Sequence, residues 1–210
     1  MTVAIDAFIH RFEPAVGPER RVLVLLHGTG GNEDDLLPLG RLILPGAALV
    51  SPRGKTLEHG MPRFFRRIAE GLFDLEDLRA RTHELADWLE VARAAYALDG
   101  RPLIAAGFSN GANIAASLLL LRPEVLAGAV LLRATLPFEP ESPPTLAGVP
   151  VWIGAGGGDP FVRAADVERL ATVLRQGGAT VDLEWAESGH SLTPADVTRA
   201  RAWLQDSGRD

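Results

Sequence analysis

Residues 102–121 read PLIAAGFSNGANIAASLLLL, an apolar strand signal followed at once by a small, apolar helix signal. Between the strand 102–108 and the helix 110–121, residues 107–111 match the pattern G-x-S-x-G, with Ser109 at the apex of a sharp strand-to-helix turn. Such a turn strains the backbone at the serine, and side chains two positions before and after it would collide with the neighbouring strand and helix. The stretch therefore predicts a nucleophile elbow at Ser109. As a bare pattern it also fits a Gly-rich turn with a solvent-facing serine.

The rest of the chain alternates strand and helix signals, which predicts an α/β fold with a mostly parallel central sheet and helices on both faces. The predicted strands are 21–27, 47–51, 129–132, 151–154 and 180–185. The predicted helices are 32 to about 43, 75 to about 98, 162–176 and 194–205. The proline-rich stretch 136–150 predicts a loop that is too short for a second domain. We expect one domain over residues 1–210, without a large cap domain.

Composition narrows the function classes. The 210 residues contain 47% hydrophobic residues, and the 21 basic and 27 acidic residues give a net charge of −6. That balance disfavours nucleic acid or an anionic membrane surface as a partner. The absence of cysteine excludes disulfides, thiolate catalysis and zinc–thiolate sites. Residues 1–11 lack an apolar run of signal-peptide length, and no stretch approaches the ~20 apolar residues of a membrane span, so we expect a cytoplasmic protein.

A serine nucleophile needs an adjacent base, and in this fold class the chain order is serine, then an acid, then histidine. His190 is the one histidine after Ser109. It lies in a predicted loop at the carboxyl end of strand 180–185, the edge at which open α/β sheets assemble their sites. The position predicts His190 as the catalytic base, against the alternative of a surface-loop histidine.

The acid has several candidates after Ser109. Asp159 follows strand 151–154 through a glycine run and precedes Pro160, which places its carboxylate at the same sheet edge. Asp166 lies on a predicted helix, and Asp182 and Glu184 lie within a strand, so they do not point naturally at His190. Asp159 is therefore the predicted acid, and its alternative role is a turn-forming Asp-Pro.

A tetrahedral intermediate needs two preorganised donors at its negative oxygen. One is expected to be the backbone N–H of Asn110, directly after the nucleophile, and the other the backbone N–H of Thr29 in the glycine-rich loop after strand 21–27. His27 ends that strand and is expected to anchor the loop by hydrogen bonds.

With these residues in place, the chain resembles the phospholipase/carboxylesterase family, cap-less α/β-hydrolases that include bacterial carboxylesterases and acyl-protein thioesterases. The matching motifs are LLHGTGGNE (25–33), SPRG (51–54), MPRFF (61–65), GFSNGA (107–112), GGGDP (156–160) and SGH (188–190). The resemblance implies Ser109, Asp159 and His190 as a catalytic triad. It also implies that Met61, Phe64 and Phe65 line the acyl pocket, with core packing as the alternative for the two phenylalanines.

The chain departs from the family's eukaryotic thioesterases, which usually carry a Trp-Phe-Asp-like segment near this loop. Here the sequence is Phe64-Phe65-Arg66-Arg67. Arg66 and Arg67 are either solvated or able to meet a carboxylate or phosphate of a substrate.

The function expected from these residues is hydrolysis of small carboxylic esters through an acyl-enzyme on Ser109. Thioesterase or lysophospholipase activity on the same triad is one alternative, and a non-catalytic scaffold that binds a small molecule is another. The chemistry needs no cofactor or metal, and the five histidines include no closely spaced pair suited to zinc. The sequence leaves the oligomeric state open, a homodimer included.

Overall fold

The computed structural model describes residues 3–207. In chain order, its strands are β1 His10–Glu13, β2 Val22–Leu26, β3 Ala48–Pro52, β4 Thr56–Glu58, β5 Met61–Arg63, β6 Arg67–Ala69, β7 Leu72–Phe73, β8 Leu103–Phe108, β9 Gly128–Leu132, β10 Pro150–Gly156 and β11 Thr180–Ala186. The helices are α1 Leu37–Ile43, α2 Leu75–Ala95, α3 Asn110–Leu121, α4 Ala164–Gln176 and α5 Pro194–Asp206, with a short 3-10 helix at Ile5–Ala7.

Seven strands form the central sheet, in the order β1-β3-β2-β8-β9-β10-β11. Every neighbouring pair is parallel except β1 with β3, which is antiparallel. Every residue of β2 and β9 is buried, as expected for parallel strands covered on both faces. The mostly parallel sheet predicted from the sequence is confirmed.

Helices cover both faces of the sheet. Apolar residues of α2, α3 and α4 belong to one buried cluster, which includes Trp88 and Leu118. Residues of α1 and α5 pack into a second cluster with Leu25 and Trp152 on the opposite face. This arrangement brings the carboxyl ends of the parallel strands to one exposed edge.

The structure differs from the predicted elements in specific places. Helix α1 begins at Leu37 rather than at Asn32, because Asn32 Oδ1 accepts from the backbone N–H of Asp34 at 2.8 Å and holds a turn instead. Helix α2 ends at Ala95, and β10 continues through the glycines to Gly156 by pairing with β11.

Strand β1 and two small hairpins, β4–β5 and β6–β7, were not predicted. Both hairpins lie between β3 and α2 in the chain and supply part of the wall of the site described below. Within residues 3–207, no helix is long and apolar enough to cross a membrane.

Candidate active site

Ser109 lies between β8 and α3 with strained backbone, at φ 52° and ψ −115°. The flanking glycines make this turn possible. A Cβ on Gly107 would lie 2.6 Å from the carbonyl oxygen of Gly111, and a Cβ on Gly111 would lie 1.9 Å from that of Leu26 in β2. The Ser109 N–H donates to the carbonyl of Leu132 at 2.9 Å, which fixes the turn against β9. The steric reason predicted for the two glycines is confirmed.

Ser109, His190 and Asp159 are brought together in one hydrogen-bonded chain. His190 Nε2 lies 2.9 Å from Ser109 Oγ, and His190 Nδ1 lies 2.7 Å from Asp159 Oδ2. The three residues follow β8, β11 and β10 respectively, so they come from three strand ends at one edge of the sheet, with β9 between β8 and β10. This geometry suits proton transfer from the serine hydroxyl to Nε2.

The Asp159 carboxylate is held from two sides. Its Oδ1 accepts from the backbone N–H of Phe161 at 2.9 Å and of Val162 at 3.3 Å, which leaves Oδ2 for His190. The side chain of Asp159 is only 1% exposed, whereas that of His190 is 22% exposed. The acid is therefore shielded and oriented, and the imidazole reaches the surface of the site.

The loops that carry Asp159 and His190 are tied to each other. Gly157 N–H donates to Ala186 O at 2.8 Å, and Gly158 N–H donates to Ser188 O at 2.9 Å. A Cβ at Gly156 would lie 2.3 Å from the carbonyl oxygen of Gly189, so only glycine permits this close approach. The glycine run before Asp159 thus allows the Asp159 loop to pack directly on the His190 loop.

Two aromatic rings flank the imidazole. Phe108 lies 5.3 Å from the His190 ring centroid, and Phe161 meets it edge-on at 5.1 Å while remaining 56% exposed. The imidazole therefore has aromatic contacts in addition to its hydrogen bonds to Asp159 and Ser109.

His27 anchors the loop that carries Thr29, as expected. Its Nδ1 donates to Gly28 O at 2.7 Å, and its Nε2 accepts from the backbone N–H of Gly54 at 2.9 Å. Acceptance by Nε2 requires the neutral imidazole, and burial lowers the pKa of His27. His27 is thus a neutral structural group at the site.

The two predicted oxyanion residues face the same cavity, which also contains Ser109 and His190. The hydroxyl of Thr29 accepts from Arg63 Nη1 at 2.7 Å, and Gly30 N–H donates to Pro62 O at 2.9 Å, so hairpin β4–β5 supports the Thr29 loop. Asn110 Oδ1 accepts from the backbone N–H of Phe64 at 2.7 Å. The backbone N–H groups of Thr29 and Asn110 remain the predicted donors.

The cavity has a volume of about 710 Å³ and a wall that mixes polar and apolar side chains. The polar part includes Thr29, Arg63, Arg67, Asn110, Asn113 and Arg133. The apolar part includes Leu72, Phe73, Leu136 and Phe161. This composition suits a small ligand that is partly polar.

The residues predicted for the acyl pocket are placed differently. Phe64 and Phe65 are 2% and 0% exposed and belong to the hydrophobic core, where Phe64 lies 4.7 Å from the His27 ring. Neither lines the cavity, which matches the core-packing alternative. Met61 is 41% exposed and lies against Gly30, also outside the cavity wall.

The two arginines that follow Phe65 have different surroundings. Arg66 is exposed and pairs with Asp74 at 2.9 Å, as a solvated charge does. Arg67 lines the cavity and is shared between Glu58, at 2.9 Å, and Glu70. These carboxylates already neutralise Arg67.

Sequence reasoning missed Arg133, a buried arginine directly after β9 whose guanidinium bonds to the loop around His190. One signal was available, because a charged residue at once after an apolar strand at the catalytic edge is unusual. In residues 3–207, no cluster of three or more histidine, aspartate and glutamate side chains could hold a metal ion.

The model of the family described as phospholipase/carboxylesterase matches residues 9–207 of the chain. MhqD of Bacillus subtilis (strain 168), which is named as a hydrolase, is 47% identical over 191 residues, covering 91% of this chain and 96% of MhqD.

Two solved structures extend the likeness. The carboxylesterase of Bacillus cereus has 45% sequence identity and a TM-score of 0.93, with 96% of this chain and 95% of that chain covered. The carboxylesterase of Mesorhizobium loti has 34% identity and a TM-score of 0.89, with 98% and 97% covered.

Proposed function

This chain belongs to the phospholipase/carboxylesterase family and has its α/β-hydrolase fold, and from that basis we propose that it is a serine carboxylesterase that cleaves small carboxylic esters. The observation that carries the proposal is the bonded series of Ser109, His190 and Asp159, with distances of 2.9 Å and 2.7 Å. Each side chain follows a different strand of the sheet, at the edge where such sites form.

In the proposed acylation, Ser109 Oγ attacks the ester carbonyl carbon while its proton moves to His190 Nε2. The carbonyl oxygen becomes negative and accepts hydrogen bonds from the backbone N–H groups of Thr29 and Asn110. The bond to the leaving oxygen then breaks, and His190 returns the proton to the departing alcohol. Asp159 holds the tautomer with the proton on Nδ1 and stabilises the imidazolium that forms in between.

Deacylation repeats these steps with water. His190 Nε2 takes a proton from a water that attacks the acyl carbon, and the collapse of the second tetrahedral intermediate returns that proton to Ser109 Oγ. The products of deacylation are the free acid and the original enzyme, and water is the one co-reactant.

The mixed wall and moderate volume of the cavity favour small acyl and alcohol groups over long chains. Thioesters and lysophospholipids use the same triad chemistry and remain alternatives within the enzyme class.

A direct test compares the full-length protein with the variants S109A and S117A on p-nitrophenyl acetate and with a fluorophosphonate probe. Ser117 lies in α3, the helix that begins directly after Ser109, and its hydroxyl is buried against Thr82 at 2.7 Å, so S117A controls for a serine-to-alanine change close to the site. We expect hydrolysis and covalent labelling in the wild type and S117A, and loss of both in S109A. A folded wild type that neither turns over nor labels would support the non-catalytic binder instead.

A matched series of oxygen esters and thioesters of increasing acyl length then separates the enzyme alternatives. We expect kcat/KM to be highest for short oxygen esters. A preference for thioesters or long acyl chains would favour the thioesterase or lysophospholipase reading.

A further inference from the structure

Arg133 is buried to an extent that is rare for arginine. It is 1% exposed, and it follows β9 directly at a φ of 57°, in the left-handed region that residues with a side chain seldom adopt. Its backbone N–H donates to Gly154 O at 2.9 Å, and the residue before it, Leu132, accepts from Ser109 N–H. Strained backbone of this kind persists where the surrounding structure fixes it, often at functional sites.

The guanidinium of Arg133 donates hydrogen bonds to the loop both before and after His190. Nε donates to Gly189 O at 3.0 Å, while Nη2 donates to Ser188 Oγ and Ser191 O, each at 3.1 Å. These partners are the two residues before His190 and the one after it. Residues 187–193 form neither helix nor strand, so the loop is held by these side-chain bonds rather than by the backbone hydrogen bonds of a regular element.

A carboxylate from α5 completes the arrangement. Asp196 accepts from Arg133 Nη1 at 3.0 Å and from Nη2 at 2.7 Å, and it also accepts from the N–H and hydroxyl of Thr193 in a capping box. Burial alone would raise the pKa of Asp196, but the hydrogen bonds from Arg133 and Thr193 lower it overall. The ion pair thereby connects β9, the His190 loop and the start of α5.

We propose that Arg133 is a positioning residue that sets the distance and orientation of His190 relative to Ser109, an inference that rests on the proposed role of the triad. The requirement is specific for arginine. A planar guanidinium presents five N–H donors in a fixed fork, and here each has an acceptor, whereas a lysine ammonium has three donors and no fork. A displacement of the base by ~1 Å can cost about 100-fold in rate.

The test uses R133K, with R101K as the matched control. Arg101 also holds a loop through backbone carbonyls, those of Arg20 and Glu19, but at the opposite edge of the sheet. We expect R133K to lower kcat for p-nitrophenyl acetate by about 100-fold per folded molecule, with KM within about threefold of the wild type, and R101K to leave both unchanged. The fraction of folded protein is set by near-UV circular dichroism and thermal unfolding.

Two results would overturn the proposal. One is a folded R133K that retains kcat within twofold of the wild type. The other is a rise in KM at unchanged kcat, which would mean that Arg133 binds substrate from the cavity wall rather than positioning the base. If R133K fails to fold, D196N keeps the guanidinium in place while weakening its anchor, and a fall in kcat of about tenfold is expected.

A second readout does not depend on turnover. Long-range ¹H–¹⁵N spectra of the imidazoles, with His190 assigned through H190Q, report which nitrogen carries the proton. We expect the same His190 nitrogen shifts in wild type and R101K, with the proton on Nδ1, and displaced shifts in folded R133K, because a moved imidazole changes its hydrogen bonds to Ser109 and Asp159. If the wild type hydrolyses no ester, the proposed function fails. A folded R133K in which both His190 nitrogen shifts match those of the wild type would refute the positioning role by itself.

Discussion

Replacing Asp159 by asparagine changes one atom of the site and tests its electrostatics directly. In the wild type, Asp159 Oδ1 accepts from two backbone N–H groups, and Oδ2 accepts from His190 Nδ1. An asparagine keeps its oxygen on the two N–H groups, so its NH₂ faces Nδ1. Two donors cannot bond to each other, and the proton therefore moves to Nε2, where it blocks acceptance of the serine proton.

The size of the loss in kcat follows from the free energy needed to recover the tautomer with the proton on Nδ1. Flipping the amide restores the productive tautomer but faces NH₂ toward the two backbone donors. One of these contacts is exposed to water, so the lower end of the range applies, about 1 kcal/mol for each lost bond, or roughly 30-fold for both. Loss of the charged bond to the imidazolium adds ~1.5–3 kcal/mol, or roughly 10- to 100-fold. The product predicts a fall in kcat of about 10³.

The assay is steady-state hydrolysis of p-nitrophenyl acetate at pH 7.5 by D159N, with D182N as the control. Asp182 lies on β11 and accepts from Trp203 Nε1 at 2.8 Å, a bond that an asparagine oxygen also accepts. We expect D182N to match the wild type. A D159N protein with more than a tenth of wild-type kcat would refute the tautomer argument and return the role of acid to another residue.

Two further changes follow from the same geometry. G111A puts a Cβ 1.9 Å from the carbonyl oxygen of Leu26, so we expect it to lower Tm by several degrees and to reduce kcat per folded molecule; a variant with wild-type values for both would disprove the steric account of the elbow. Because burial lowers the pKa of His27, the unfolded chain takes up a proton below pH ~6.5 that the folded chain does not bind. The free energy of unfolding should therefore decrease as the pH is lowered from 7 to 5, by up to ~1.4 kcal/mol per pH unit. In H27Q that contribution is absent, so thermal melts between pH 7 and 5 should show a smaller loss than in the wild type, and parallel curves for the two proteins would rule it out.

Much of the sheet and the site could be read from the sequence because the signals were local. An uninterrupted apolar run such as β2 is stable only when it is buried on both faces of a sheet. The glycines around Ser109 are required because a Cβ at either position would clash, and the whole motif spans only five residues. Chain order then restricted the predicted base to His190, and the position of Asp159 just after a strand favoured it among several acids.

The remaining features depend on partners that are distant in the chain. Arg133 and Asp196 are 63 residues apart, so although the place of Arg133 directly after an apolar strand is unusual, nothing local in the sequence pairs it with Asp196. Strand β10 passes through glycines that disfavour a strand, and its pairing with β11 overrides that tendency. The core position of Phe64 and Phe65 is set by how the hairpins fold back, which their apolar character alone does not specify.

The docking of the Asp159 loop on the His190 loop has a consequence for protein engineering. The loops of Asp159 and His190 are joined to each other through Gly157 and Gly158, whereas no hydrogen bond found within residues 3–207 joins either loop to hairpins β4–β5 and β6–β7. The two loops that carry Asp159 and His190 can thus be kept together as one unit, while the two hairpins can be varied independently of them. A library aimed at new substrates should diversify residues 56–73 at solvent-facing positions and leave 156–196 untouched.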